Sequence, residues 1–426
     1  MAKIQTLPGF HDFYPEDLKI RNYLFEVWRR VAHRHGFVEY EAPTVESAEL
    51  YRRKSGDEIL SQLFHFEDKG GREMALRPEL TPSLARMASA RLRDYRKPLK
   101  WFQIGPCFRA ERPQKGRRRE FIQFNADILG DAGTGADAEL AALAIETLRE
   151  FGFGTDEVVL RLSNRDVWND FLAEQGISFD RAGEFLTILD KLERDPEGVA
   201  AKLATLGTST DAVREFIARD PDPEGPLGRV LADLEARGLA TYVETDLSIV
   251  RGLAYYTGTV FEVFDRARAL RAVAGGGRYN DLAALVSDGA VDLPAIGFAM
   301  GNVVLGDLID QCAEAKVRLL AWLDERTAAQ VYVMIADEAS RPHALAVATD
   351  LRRAGLRVDL PLSPLKFNKQ FQAAEAVGAR VGVIIGSEFP AISVKDLHHR
   401  REVAATADTL AQTVADILAA PGPLIA

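Results

Sequence analysis

The stretch CFRAERPQKGRRREFIQFN, residues 107–125, reads as a strand, a loop and a second strand. Its loop is basic: Arg109, Arg112, Lys115, Arg117, Arg118 and Arg119 stand against only Glu111 and Glu120, around Pro113 and Gly116. The chain as a whole has the opposite sign, with 53 Lys and Arg, 63 Asp and Glu, and a formal net charge of -10. Residues 100–109 and 121–130 are the flanking strands. In the second, Ile122, Phe124, Ala126 and Ile128 alternate with Gln123, Asn125 and Asp127, and period two puts the three polar groups on one face.

Strand–loop–strand geometry lets Arg109 aim inward from the end of the first strand while the other loop cations project outward. A guanidinium suits phosphate because its planar fork makes two parallel charge-assisted hydrogen bonds. The bland alternative is a solvated hairpin tip, and six cations within an acidic chain favour phosphate over it. No GxxxxGK[ST] occurs, so a Walker-type loop is unsupported. Gln123, Asn125 and Asp127 are either an ordinary surface face or the floor of a pocket that holds an amine beside Arg109.

Other stretches offer further candidates. LRPELTPSLAR (76–86) presents Glu79 and Thr81, also suited to an amine, although Arg77 and Glu79 could be an ordinary surface pair. RGLAYYTGTVFE (251–262) sets Arg251 ahead of Tyr255 and Tyr256 and then enters a strand. The glycine run AGGGRY (274–279) reads as a turn that permits close backbone approach. The seven histidines show no metal-ligand spacing, and no metal site is expected.

Working outward, residues 17–35 read as a helix, with Ile20, Leu24, Val27 and Val31 on one face and Gly36 as its stop. Residues 62–77 read as a hairpin turning at Lys69-Gly70-Gly71. A helix follows at 135–150, and residues 165–240 read as a mostly helical insertion. From residue 328 the apolar strands VYVMIAD, LRVDL and VGVIIG alternate with amphipathic helices, which predicts a small α/β domain with a largely parallel sheet. Two or three domains fit 426 residues. Only Cys107 and Cys312 occur, so a disulfide framework is excluded. The start, MAKIQTLPGFHDF, has no apolar run, and no apolar stretch of about 18 residues occurs; a cytoplasmic protein without membrane partners is expected.

Together these pieces resemble the class II aminoacyl-tRNA synthetases, and within them the histidine enzymes, over nearly the whole chain. YEAPTVES (40–47) is similar to the first class motif, which builds the dimer interface, and FRAERPQKGRRREF (108–121) to the second. RGLAYYTG and AGGGRY resemble the two stretches peculiar to the histidine enzymes. FNKQFQAAEAVGARVGVIIG (367–386) and VKDL (394–397) resemble their anticodon-binding domain. The fold so implied is an α+β catalytic core (1–326) with an antiparallel class II sheet and the helical insertion, then a C-terminal α/β anticodon-binding domain (327–426).

The resemblance implies ATP-dependent activation of L-histidine and its transfer to the 3′ end of histidine tRNA by a homodimer, with Mg²⁺ accompanying ATP. It gives Arg109 the α-phosphate and the histidine carboxylate, with Arg251 opposite as the second catalytic cation. Arg117 reaches the distal phosphates and Phe121 lies against adenine. Glu79, Thr81, Gln123, Asp127, Tyr255 and Tyr256 line the histidine pocket with the two arginines. Gln114, Arg118 and Arg119 face the tRNA acceptor end. The chain departs from the pattern in GFAMGNVVL (297–305), where Val304 replaces the third-motif Arg and Arg278 is the candidate substitute. Asp127 is one methylene shorter than the usual Glu, and Ala254 is small. That departure keeps open two other readings, a catalytically silent histidine-sensing regulatory subunit of ATP phosphoribosyltransferase and an RNA-binding or amino-acid-sensing module.

Overall fold

The computed structural model describes residues 4–55, 57–114, 116–192, 195–249 and 256–420. It comprises two compact units, Met1–Leu319 and Leu320–Ala426. The strands of the first are β1 (Val38–Glu39), β2 (Val45–Ser47), β3 (His65–Glu67), β4 (Glu73–Leu76), β5 (Leu99–Phe108), β6 (Glu120–Leu129), β7 (Val158–Asn164), β8 (Val243–Thr245), β9 (Thr257–Asp265), β10 (Ala274–Arg278) and β11 (Ala295–Gly301). Among the described residues they form an eight-stranded sheet in the order β1-β5-β6-β11-β10-β9-β7-β8 and a small sheet β2-β4-β3. From β5 across to β7 every neighbouring pair is antiparallel, while β1 and β8 add to the two edges in parallel. The hairpin expected at 62–77 is β3 and β4, with Gly71 at φ +77 in its turn.

One face of the large sheet is an aromatic core. The helix Pro15–Arg34 buries Tyr23, Leu24, Val27, Trp28 and Val31. Trp28 stacks on Phe124 at 5.6 Å, and Phe124 meets Phe102 and Phe298 edge-on. Such ring pairs add about 0.5–1.5 kcal/mol each beyond their burial. Ile20, expected on this face, is instead partly exposed, because the buried stripe is centred on Tyr23 and Trp28. The Ala- and Leu-rich helix Thr134–Phe151 packs against the same helix and beneath β6 and β11. The expected insertion consists of the helices Val167–Glu174, Ala182–Leu189, Pro196–Leu206, Thr210–Ile217 and Pro226–Ala236. Trp168, Phe171, Phe185 and Phe216 give it a core of its own.

Two expectations are corrected. The glycine run 274–278 is a strand in the sheet interior, not a turn. Its glycines are there for space: a Cβ on Gly276 would stand 2.5 Å from Phe298 Cβ and 2.6 Å from the Gly297 carbonyl oxygen. The second unit is less parallel than expected. Its strands β12 (Val331–Ile335), β13 (Val358–Asp359), β14 (Val381–Ile385), β15 (Ile392–Asp396) and β16 (Arg401–Ala405) lie in the order β13-β12-β14-β15-β16. Only the first three are parallel, each pair linked through a helix as parallel pairs require. β15 and β16 are an antiparallel hairpin whose short turn includes Arg400 at φ 56. The helix Arg341–Arg353 buries Ala344, Val347, Ala348 and Leu351, the face its sequence predicts. Both cysteines are buried and unpaired, and among the described residues no helix is long and apolar enough to cross a membrane.

If residues 274–278 are an interior strand, Gly276→Ala destabilises the protein by about 1–3 kcal/mol in thermal or denaturant unfolding. A loop glycine at that place would accept the methyl without loss.

Candidate active site

The sheet face opposite the aromatic core carries the polar residues. Gln103, Gly105 and Cys107 of β5 stand beside Asn125, Gln123 and Phe121 of β6. β11 sets Gly297, Ala299 and Gly301 against Asp127, Asn125 and Gln123. On this face Phe121, Gln123 and Asn125 of β6, Gly297, Ala299 and Gly301 of β11, Glu262 of β9 and Gly275 of β10 floor a cleft of about 760 Å³. Of the polar face read from period two, Gln123 and Asn125 line the cleft, while Asp127 lies buried behind its wall.

Around that cleft the structure brings together Glu79, Thr81, Arg109, Arg117, Arg118, Phe121, Gln123 and Tyr256. Arg109 follows directly on β5, its guanidinium 5.0 Å from the centre of the Phe121 ring and its Nε donating to the Pro78 carbonyl at 3.4 Å. Among the described residues no carboxylate pairs with it. Arg117 is ion-paired with Glu111. Gln123 Oε1 accepts from the Cys107 thiol at 3.3 Å, and burial pushes that thiol up to about 12, so it stays neutral. Glu79 is ion-paired with the buried ammonium of Lys54. Thr81 Oγ1 accepts from Asn125 Nδ2 at 3.3 Å. Arg251 and Tyr255 lie outside the described residues, as does Lys115.

Asp127 sits behind the cleft wall rather than on it, with no exposed surface. Gly297 and Tyr279 line the cleft in front of it, and a Cβ on Gly297 would collide with Asp127 Oδ1. The Tyr279 hydroxyl donates to Oδ1 at 2.6 Å. Among the described residues Oδ2 has no partner. Burial raises the Asp127 carboxyl to about 7, against which the Tyr279 hydrogen bond pulls downward. Burial raises the phenols of Tyr40, Tyr256 and Tyr279 as well, and the Asp127 carboxylate adds to each shift. An acid with one open oxygen, enclosed by neutral phenols, is a place for a polar N–H donor.

Besides Asp127, which was expected to line the pocket, three placements differ from the sequence reading. Arg278 is not in the cleft: it is buried, paired with Asp137 at 2.6 Å and bonded to the carbonyls of Asp131 and Gly133. It cannot stand in for a missing phosphate ligand, because its donors are spent on the helix Thr134–Phe151 and the turn before it. Arg77 and Glu79 are not a surface pair. Arg77 is buried and donates to the carbonyls of Pro106, Ala42 and Pro43, tying the segment before β2 to the end of β5. Arg119 is held within the chain, its Nε donating to the Glu111 carbonyl and its stem against Gly9. Gln114 is exposed and accepts from Arg271 at 2.9 Å. Val304 lines the cleft as a buried apolar wall. Tyr279 and Arg271 were not singled out in the sequence; the first is the last residue of the quoted AGGGRY, whereas a lone Arg in a connecting segment gives no signal.

The Histidyl-tRNA synthetase family model matches residues 9–305, and the Anticodon binding domain model matches residues 330–417. The chain belongs to the histidyl-tRNA synthetase family. It is 43% identical to the histidine–tRNA ligase of Opitutus terrae, over 94% of this chain and 96% of that one. It is 38% identical to the chloroplastic/mitochondrial histidine–tRNA ligase of Arabidopsis thaliana, over 93% of this chain and 84% of that one. Among solved structures it is similar to the histidyl-tRNA synthetase of Nostoc sp. PCC 7120, with a TM-score of 0.79, 26% identity, and 98% and 100% of the two chains covered. The class II core with its large mixed sheet and the C-terminal anticodon-binding domain with its own sheet are those of this family.

The weakened acidity of Asp127 has a consequence for stability. In the unfolded chain the group ionises near 3.8, while in the folded chain it holds its proton to about 7. As pH rises through that window the unfolded state releases a proton that the folded state keeps, so this group lowers stability. Thermal melts of Asp127→Asn and the parent should therefore diverge in favour of the variant between pH 4 and 7; parallel curves would contradict the assignment.

Proposed function

We propose that the cleft joins L-histidine to ATP and then passes the histidine to the 3′ end of histidine tRNA, the activity of a histidine–tRNA ligase. The single observation that carries the amino-acid choice is the buried, half-satisfied Asp127 beneath Gly297. Its open Oδ2 can accept an imidazole N–H, with Tyr256 on the cleft wall and Tyr255 a further pocket residue that the family resemblance implies. A side chain lacking that N–H leaves a buried acceptor unpaired, which is the strong form of discrimination. Glu79, Thr81 and Gln123 take the ammonium, with Lys54 sharing Glu79.

In the first step a histidine carboxylate oxygen attacks the α-phosphorus; the new P–O bond forms as the bond to the bridging oxygen breaks and pyrophosphate leaves. The chain contributes position and charge. Arg109 holds the α-phosphate and the carboxylate, with Arg251 as the second catalytic cation that the family resemblance implies; Phe121 covers adenine and Arg117 meets the distal phosphates. Among the described residues no group of three or more His, Cys, Asp or Glu could hold a metal ion. Mg²⁺ would ease charge on the phosphates when bound with ATP, a role that needs only one or two protein carboxylates, and Glu262, which lines the cleft, would be one of them. In the second step a ribose hydroxyl of the tRNA attacks the histidyl carbonyl and AMP leaves. Gln114, Arg118 and Arg119 lie on the acceptor-end side; Arg119 shapes the loop, while Gln114 and Arg118 present toward the RNA. Residues 1–326 serve catalysis and 327–426 the anticodon.

We further propose a cytoplasmic homodimer joined across the edge strand β1 and the small sheet, where Val38, Val45 and Phe66 are exposed. The competing role, a silent histidine-sensing subunit, draws on Val304. Against it stand the arginines of the cleft and the matched anticodon-binding domain.

Histidine-dependent exchange of pyrophosphate into ATP decides between them. The purified protein should catalyse it, and Arg109→Ala should lower the rate ~100-fold or more, as loss of one transition-state charge ligand does. Histidine binding without any exchange would favour the regulatory role.

A further inference from the structure

Val304 leaves one corner of the cleft without the expected cation, yet the corner is not without charge. We propose that Arg271, in the connection between β9 and β10, grips the outer phosphates of the nucleotide. This rests on the ATP-dependent reading above and deepens it.

Arg271 is exposed at the cleft mouth and reaches across to the basic loop, where its Nη2 donates to Gln114 Oε1 at 2.9 Å. Its Cδ lies 3.7 Å from the point where a Cβ on Gly116 would stand, and Val304 Cγ2 lies 3.9 Å from that same point. Arg271, Gly116 and Val304 thus share one corner. Gly116 has φ +72, a conformation glycine adopts freely, and without a side chain it leaves room beside the arginine stem. Val304 contributes an apolar wall there and no charge.

Commitment to other partners sets Arg271 apart from Arg117 in the cleft and from Arg278 beneath it; Arg118, like Arg271, has no carboxylate partner among the described residues. Arg117 is ion-paired with Glu111 and the excluded Arg278 with Asp137. Among the described residues Arg271 has no carboxylate partner, and its one hydrogen bond goes to a neutral amide. Most of its five donors stay open, and a phosphate offers the charge-assisted, two-pronged contact that an amide oxygen cannot. Half-buried Arg109 at the inner end and exposed Arg271 at the mouth suit a phosphate chain running outward between them. No acidic residue has to move to free Arg271, only the Gln114 amide.

The test compares ATP with AMP, which lacks the outer phosphates. In pyrophosphate exchange, Arg271→Ala should raise the KM for ATP ~tenfold or more, the effect of losing a charged hydrogen bond. The KM for histidine, inhibition by AMP and the melting temperature should stay at parental values, and Arg271→Lys should recover part of the loss. Equilibrium binding of ATP and AMP needs no turnover, so the selective loss of ATP can be read even if the parent fails to exchange; that failure would strike the ligase reading alone. An unchanged ATP affinity in Arg271→Ala, or equal weakening of ATP and AMP, would overturn the role.

Discussion

Asp127 holds its carboxyl in the middle of the large sheet, behind Gly297, with a tyrosine hydroxyl on one oxygen and no partner among the described residues on the other. Several features of the sheet follow from keeping such a group there. β11 must carry a glycine opposite it, since any Cβ would collide with the acid. Tyr279 must leave β10 at the correct register to supply its hydroxyl. The face behind must be sealed by Trp28, Phe124 and Phe298 so that the acid meets the cleft and not solvent. The desolvation is unfavourable to the folded chain, and a pocket that binds a polar side chain by its N–H groups is the reason such an arrangement persists.

Around this fixed point the charges sort by partner. Arg77 and Arg278 are structural, each consumed by carbonyls or a carboxylate, and both lie beneath the working surface. Arg109 and Arg271 are held by weak or neutral contacts and open to the cleft. The same residue type thus fixes the frame in one place and waits for phosphate in another. The difference lies in what already satisfies each guanidinium.

Much of the fold was legible because its periodicities are clean. β6 alternates without a break, the helix Pro15–Arg34 carries a regular apolar row, and the C-terminal strands are short apolar runs between amphipathic helices. Glycine was where reading failed: residues 274–278 look like a turn, and only the packing of Phe298 and Phe261 shows why a strand there must lack side chains. The hairpin β15–β16 was missed because its strands are half exposed and weakly apolar. At the site, Arg109, Gln123 and Asp127 could be read from a strand–loop–strand with a polar face. The burial of Arg278, the carbonyl ligands of Arg77 and the reach of Arg271 depend on contacts far apart in sequence, which no local pattern carries.

A crystal structure with L-histidine bound bears most directly on the central role of Asp127. The imidazole should lie over Gly297 with one ring nitrogen within hydrogen-bonding distance of Asp127 Oδ2, the oxygen that has no protein partner. Histidine bound with its ring pointing away from Asp127, and Oδ2 still without a partner, would contradict it.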